Sequence, residues 1–89
     1  MIYYEQEVQK FLNKRDLPKE VFKLFNDVFV ALDKTKNLKL FDIKKLKEQQ
    51  DRDYYRLRKG KYRAIFYIEN SNFYIINISK REEVYKRWV

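Results

Sequence analysis

Apolar and polar residues follow two different periods along the chain, helical in the first part and alternating in the last. Apolar side chains recur at helical spacing over residues 5–14 and again over residues 18–33. The second stripe consists of Val21, Leu24, Phe25, Val28, Phe29 and Leu32. Because only a short turn separates the two segments, we expect an antiparallel helical hairpin, preceded by a short strand over residues 1–4.

The alternating pattern begins at Tyr54 and predicts three successive β-strands joined by two tight turns. Residues 34–53 form a basic connector with short extended or helical pieces, and residues 81–88 read as a short C-terminal helix. The predicted order is β-α-α-β-β-β-α. It describes one α+β domain over residues 1–89, an antiparallel sheet with the helical hairpin packed on one face.

A two-residue turn at Gly60 and Lys61 determines the register of the first strand hairpin, because glycine supplies the positive φ of such turns. Counting outward places Arg58 opposite Arg63, and a slip by one residue would turn arginines into the core. Paired residues share a face, so one face is apolar. The other, exposed face carries Tyr54, Arg56, Arg58, Arg63, Ile65 and Tyr67.

Charge is concentrated in the same part of the chain. Lysine and arginine number 21 and aspartate and glutamate 13, and residues 34–63 hold twelve of the basic and four of the acidic groups. This third of the chain therefore carries the whole net charge of +8. The absence of histidine and cysteine excludes disulfides, thiolate metal sites and imidazole chemistry. Any catalysis must use Lys, Arg, Tyr, Asp or Glu.

Two interpretations of the arginine cluster remain open at this level. Like charges directly across a strand pair are destabilising, and an anion between them relieves the repulsion, which favours a polyanion site with tyrosines for base stacking. Alternatively, the arginines pair with acidic side chains of the chain itself. The acidic candidates are Asp51, Asp53, Glu69 and Glu82.

Three motifs in order resemble the RelE/ParE toxin superfamily. Residues 54–66, which read Tyr-Tyr-Arg-Leu-Arg-Lys-Gly-Lys-Tyr-Arg-Ala-Ile-Phe, resemble its hallmark hairpin. Residues 42–47 are similar to the segment that leads into that hairpin, and Arg81 stands four residues before Tyr85, as in the closing motif of the family. The resemblance is close over residues 42–85 and implies the fold order given above.

The resemblance implies the toxin of a type II toxin–antitoxin system, an mRNA interferase that inhibits translation. RelE-type members are ribosome-dependent endoribonucleases in which a ribose 2′-OH attacks the adjacent phosphate without metal or cofactor. By motif position, Arg63 would stabilise the pentacovalent phosphate and Arg56 would occupy a catalytic Lys or Arg position. Arg81 would clamp the phosphate, and Tyr85 would stack on a base or assist proton transfer. The expected RNA-binding residues are Tyr54, Arg58, Lys44, Lys45 and Lys47.

One position departs from the family, because Tyr54 stands where the best-known RelE enzymes carry a lysine. Lysine can lose its proton near other cations, whereas arginine keeps it. The general base is therefore Tyr54, one of the three lysines just named, or a group of the ribosome. Two alternatives to a nuclease stay open: a ParE-like inhibitor of DNA gyrase, and a non-catalytic protein that binds RNA or antitoxin.

The expected partners are a cognate antitoxin, in a heterodimer or heterotetramer, together with the ribosome and mRNA. Phe29 and Val30 are expected to form an exposed apolar patch for an antitoxin helix. No apolar run approaches the ~20 residues of a membrane span, and no signal peptide is recognisable over residues 1–14. We expect a cytoplasmic protein that contacts neither membrane nor metal.

Overall fold

Two helices pack on one face of a five-stranded sheet in the computed structural model, which describes residues 1–14, 17–46 and 52–80. The elements are β1 (Ile2–Tyr4), α1 (Gln6–Asn13), α2 (Lys19–Thr35), a 3-10 turn (Leu38–Leu40), β2 (Ile43–Lys45), β3 (Tyr55–Lys59), β4 (Tyr62–Glu69) and β5 (Asn72–Lys80). The strand order is β1-β5-β4-β3-β2. The predicted α+β class and both N-terminal helices are confirmed, and the predicted C-terminal helix lies outside the described residues.

The core lies between the helices and the apolar face of the sheet. Phe25, Phe29 and Leu32 of α2 are fully buried against strand residues such as Phe66 and Ile75. The rings of Phe29 and Phe66 meet edge to face at 5.1 Å. The expectation that Phe29 belongs to an exposed patch is wrong, because the residue lies on the buried stripe of its helix. Among the described residues, no helix is long and apolar enough to cross a membrane.

The register predicted for the first hairpin is confirmed over β3 and β4. Lys59 pairs with Tyr62 and Arg58 with Arg63, and the matching continues to the far end of β3. Gly60 has a φ of 60°, so its lack of a Cβ permits the turn. The pairing of β4 with β5 shifts by one residue between Ile65 and Phe66, as at a β-bulge.

The sheet differs from the sequence-based expectation in being mixed, because β1 pairs with β5 in parallel, with Ile2 opposite Phe73. Periodicity could not predict this, since strand direction leaves no mark on the alternation. The basic connector does contain the expected short extended and helical pieces, namely β2 and the 3-10 turn. That β2 joins the sheet, antiparallel to β3, was not predicted.

Candidate nucleic-acid interface

The arginine face is the sheet face opposite the two helices, and it carries Arg56 and Arg58 from β3 and Arg63 from β4. Arg58 lies directly across the ladder from Arg63, as predicted. Residues on this face recur every second position, so Arg56 lies one step along β3 from Arg58. Three guanidinium groups are thus carried by two adjacent strands of one rigid hairpin, and their backbone positions are determined by the ladder.

The arginines lie deeper than expected. Arg63 is 2% exposed and Arg56 is 8% exposed, whereas Arg58 is half-buried. The expectation of an exposed arginine face is therefore wrong for the first two. Ile65, which lies opposite Arg56 on the same face, is fully buried. Arginine stems commonly cover apolar neighbours in this way while the guanidinium group stays polar. Because arginine keeps its charge in such surroundings, an anion bound here is held by partly dehydrated cations, which strengthens the attraction.

Among the described residues, Asp42 is an acidic partner of Arg56 and Arg58, and it was not among the candidates from the sequence. Its carboxylate lies 3.7 Å from the Arg56 side chain and 3.8 Å from Nε of Arg58. The backbone N–H of Arg58 donates to the carbonyl of Asp42 at 3.0 Å, which anchors the residue beside β3. Asp42 is 57% exposed, so solvent screens both ion pairs.

The proposed acidic partners have other roles or lie outside the described residues. Asp53 pairs with Lys45 at 3.2 Å, and Glu69 pairs with Arg52 at 3.9 Å. Asp51 and Glu82 fall outside the described ranges.

The strand register distinguishes the lysines of the expected RNA-binding set. Lys44 pairs with Arg56 across β2 and β3, so it shares the arginine face. Lys45 pairs with Tyr55, whose ring packs against the core, so it belongs to the opposite side of β2. Lys47 lies outside the described residues.

Tyr54 stands just before β3, and its ring meets that of Tyr67 edge to face at 5.8 Å. It therefore lies beside the arginine cluster, as predicted, but in contact with another aromatic ring. Arg81 and Tyr85, the remaining candidates for the site, lie outside the described ranges.

Two buried polar residues on β5 complete the arginine face and were missed from the sequence. Ser79 lies opposite Arg63, and Asn77 lies opposite Ile65. The Ser79 hydroxyl donates a hydrogen bond of 2.8 Å to Oδ1 of Asn77, and both residues are less than 9% exposed. Their i, i+2 spacing was the available signal, since it interrupts an otherwise apolar strand on the arginine side.

The arrangement is suited to holding a phosphate rather than a metal. Guanidinium groups present planar sets of N–H donors that match phosphate oxygens, and their preorganised charge stabilises a phosphorane-like transition state. Within the described part of the chain, no group of three or more acidic side chains is placed to hold a metal ion. Such a face could bind a phosphate and stabilise charge that develops on it, whereas its arginines, which keep their protons, could not act as a general base.

The proteins found to resemble this chain are proteins of known structure. No family model matches the chain, and no curated protein matches it. A RelB-RelE antitoxin-toxin complex from Methanococcus jannaschii matches with a TM-score of 0.74 and 22% identity, covering 98% of this chain and 99% of that one. An archaeal RelE-RelB complex from Pyrococcus horikoshii OT3 matches with a TM-score of 0.70 and 28% identity, covering 90% and 92%. Over nearly its whole length, the chain therefore has the fold of the archaeal RelE toxins.

Proposed function

We propose that this chain is the toxin of a type II toxin–antitoxin pair and that it cleaves mRNA on the ribosome. The observation that carries the proposal is the arginine face itself. Arg58 and Arg63 face each other across the hairpin beside Arg56, with two of the three largely withdrawn from water. Such a cluster stabilises the extra charge that a phosphate acquires when a 2′-OH attacks it. The ribosomal substrate implies that the protein acts in the cytoplasm.

The roles follow from position on the face. Arg63 and Arg56 would contact the scissile phosphate, and Arg58 would hold a neighbouring phosphate. The closing-motif residues Arg81 and Tyr85 would add a clamp and a base or proton contact. No cofactor is required for this chemistry.

Of the two described candidate lysines, Lys44 is better suited to proton transfer than Lys45, because it shares the arginine face with its cross-strand neighbour Arg56. Lys45 provides a matched control from the other side of the same strand. We expect Lys44→Ala to lower the cleavage rate by about 10²- to 10⁴-fold, the usual contribution of a general acid–base group. Lys45→Ala should leave the rate within a few fold of wild type. Equal losses of cleavage rate in both variants would show that Lys44 has no specific role in proton transfer.

Primer extension on mRNA in a translating extract tests the nuclease proposal. Purified protein should produce defined cuts in translated message, and Arg63→Ala should lower the rate by about 10²- to 10³-fold, as for loss of one oxyanion donor. Circular dichroism must show that the variant is folded. Intact message in the presence of ribosome-bound wild-type protein would contradict the proposal. A supercoiling assay in the same series reports on gyrase inhibition.

A non-catalytic RNA-binding role is the second candidate, and Tyr54 is the residue that favours it. A phenol in contact with Tyr67 stands where RelE enzymes carry a lysine. Expression in a growth assay separates the two candidates. A nuclease arrests growth and Arg63→Ala relieves the arrest, whereas a binding protein is tolerated in both forms.

We further propose that an antitoxin of amphipathic, acidic character binds this chain. The archaeal proteins of the same fold were crystallised with RelB. An apolar groove of about 420 Å³ lies between α2 and the β3–β4 turn, with Leu24 half exposed on its wall and the lysines 59 and 61 at its rim. Apolar walls and a basic rim suit such a segment. Leu24→Glu should weaken co-purification with the product of the adjacent reading frame, and an unchanged yield of complex would exclude the groove.

A further inference from the structure

Four tyrosines lie in one row across the arginine face. Tyr3 pairs with Tyr74 across β1 and β5, and Tyr74 pairs with Tyr67 across β5 and β4. The rings of Tyr3 and Tyr74 stack at 5.0 Å and 14°, and those of Tyr74 and Tyr67 at 4.9 Å and 12°. These three parallel rings form the tyrosine column. Tyr54 contacts the column edge-on through Tyr67.

The column has one closed end and one open end. The guanidinium carbon of Arg52 lies 4.1 Å from the centroid of the Tyr67 ring and covers it. The cleft beside it, of about 380 Å³, is lined by Arg52, Asp53 and Glu69 among others. Two carboxylates there disfavour a polyanion. At the other end Tyr3 lies on the edge strand β1 and is 40% exposed, so a planar ligand can extend the stack from its outer side.

The open end lies within reach of a nucleic acid bound at the arginines. Tyr67 is four residues along β4 from Arg63, and Tyr3 is two strands away from β4. With a rise of about 3.4 Å per residue and a strand spacing of about 4.8 Å, Tyr3 lies roughly 17 Å from Arg63 across the face. A single strand of RNA covers that distance with a few nucleotides. Lys44, Arg56 and Asn77 lie on the intervening row.

We propose that the tyrosine column is a base-stacking subsite for single-stranded RNA, in which an unpaired base stacks on Tyr3 while phosphates of the same strand lie on the arginines. The inference rests on the proposed function, since it assumes that the arginine face binds RNA. Parallel rings at regular spacing match the stacking of bases, and aromatic platforms of this kind accept any base. A protein partner has a better site elsewhere, in the apolar groove beside Leu24 on the other side of the molecule.

The test measures the affinity of a fluorescent single-stranded oligoribonucleotide and of the same strand carrying abasic residues. Tyr3→Leu removes the exposed ring, and Tyr3→Phe retains it. Tyr62→Leu is the matched control: it removes a tyrosine ring that is half-buried and packs on the core side of β4, away from the tyrosine column. We expect Tyr3→Leu to weaken binding of intact RNA at least about fivefold, the low end of one base–aromatic stack. Tyr3→Phe and Tyr62→Leu should stay within about twofold of wild type.

The abasic strand separates stacking from structural damage. Wild type and Tyr3→Leu should bind it with equal, weakened affinity, because the base that Tyr3 contacts is missing. Unchanged binding of intact RNA by Tyr3→Leu would overturn the proposal and leave the column as cross-strand packing. An equal loss of affinity by Tyr3→Leu for the intact and the abasic strand would also overturn it. So would a Tyr3→Leu variant that binds RNA normally but binds the product of the adjacent gene more weakly.

The cleavage assay keeps this inference distinct from the proposed function. Base-dependent binding through Tyr3 without mRNA cleavage would reject the nuclease and retain the subsite. Cleavage that is insensitive to Tyr3→Leu at every RNA concentration would retain the nuclease and reject the subsite.

Discussion

Under the proposed function, the Asp42 carboxylate competes with RNA phosphates for Arg56 and Arg58, and its removal should improve RNA binding. Its carboxylate contacts Arg56 and Arg58 at 3.7 and 3.8 Å and is largely exposed. In Asp42→Asn, the amide retains the shape and loses the charge. The Arg56 and Arg58 guanidinium groups then meet an incoming phosphate without the Asp42 carboxylate beside them. The variant thus tests whether these arginines hold the phosphate.

The expected gain follows from the distances. A phosphate on the far side of the same guanidinium groups lies about 7 Å from the carboxylate, where repulsion is about 0.6 kcal/mol in water and about 1.2 kcal/mol at half that dielectric constant. Removing it corresponds to an affinity gain of about three- to eightfold. The same substitution removes two screened ion pairs, worth up to about 1 kcal/mol of folding stability together. For a domain of this size, Tm then falls by no more than about 8 °C.

Fluorescence anisotropy of a labelled single-stranded RNA, measured over a series of salt concentrations, provides the assay. Asp27→Asn is the matched control: it makes the same change in net charge, but Asp27 pairs with Lys23 on α2, on the other side of the sheet. Only Asp42→Asn should show the local gain, with a salt dependence steeper by up to about 0.7 for one more phosphate contact. Equal affinities for the two variants, or weaker binding by Asp42→Asn, would refute the assignment of the phosphate site.

Three further predictions concern stability. Gly60→Ala should lower the free energy of unfolding by about 1 kcal/mol, because a Cβ is unfavourable at the φ of 60° found there. Chemical denaturation measures the change, and no loss of stability would mean that the turn changes conformation to accept alanine. Ser71→Gly should raise it by a similar amount, about 1 kcal/mol, because Ser71 holds a φ of 64° in the second turn; a lower midpoint would refute this. The Lys36 ammonium and the N-terminal amine lower the Asp33 pKa. Ionised Asp33 therefore adds to the free energy of unfolding at pH values above the ordinary carboxyl pKa. This contribution is lost as the pH falls through the lowered pKa of Asp33. The Tm difference from Asp33→Asn should vanish in acid, and a constant difference would contradict it.

The β3–β4 hairpin is the part of the sheet that the local sequence pattern predicted in full. A two-residue turn and a period of two specify every cross-strand pair of the hairpin, from Lys59 with Tyr62 to Tyr55 with Phe66. The opposition of Arg58 and Arg63 is one of these pairs. These pairs depend only on neighbours in the sequence, and they were predictable. The two N-terminal helices were predictable for the same reason, since each buries a stripe repeated at its own period.

The tertiary structure decided which residues surround the arginines. Asp42 reaches Arg58 only because β2 adds to the sheet edge, and Tyr3 reaches Tyr74 only because β1 runs parallel to β5. Both contacts join distant segments, and no periodicity records such neighbours. The burial of Arg63 likewise depends on packing from several strands. The sequence by itself thus determined the arginine pair and its face, because turn and alternation are local. The counter-ion, the burial and the tyrosine column depend on long-range packing.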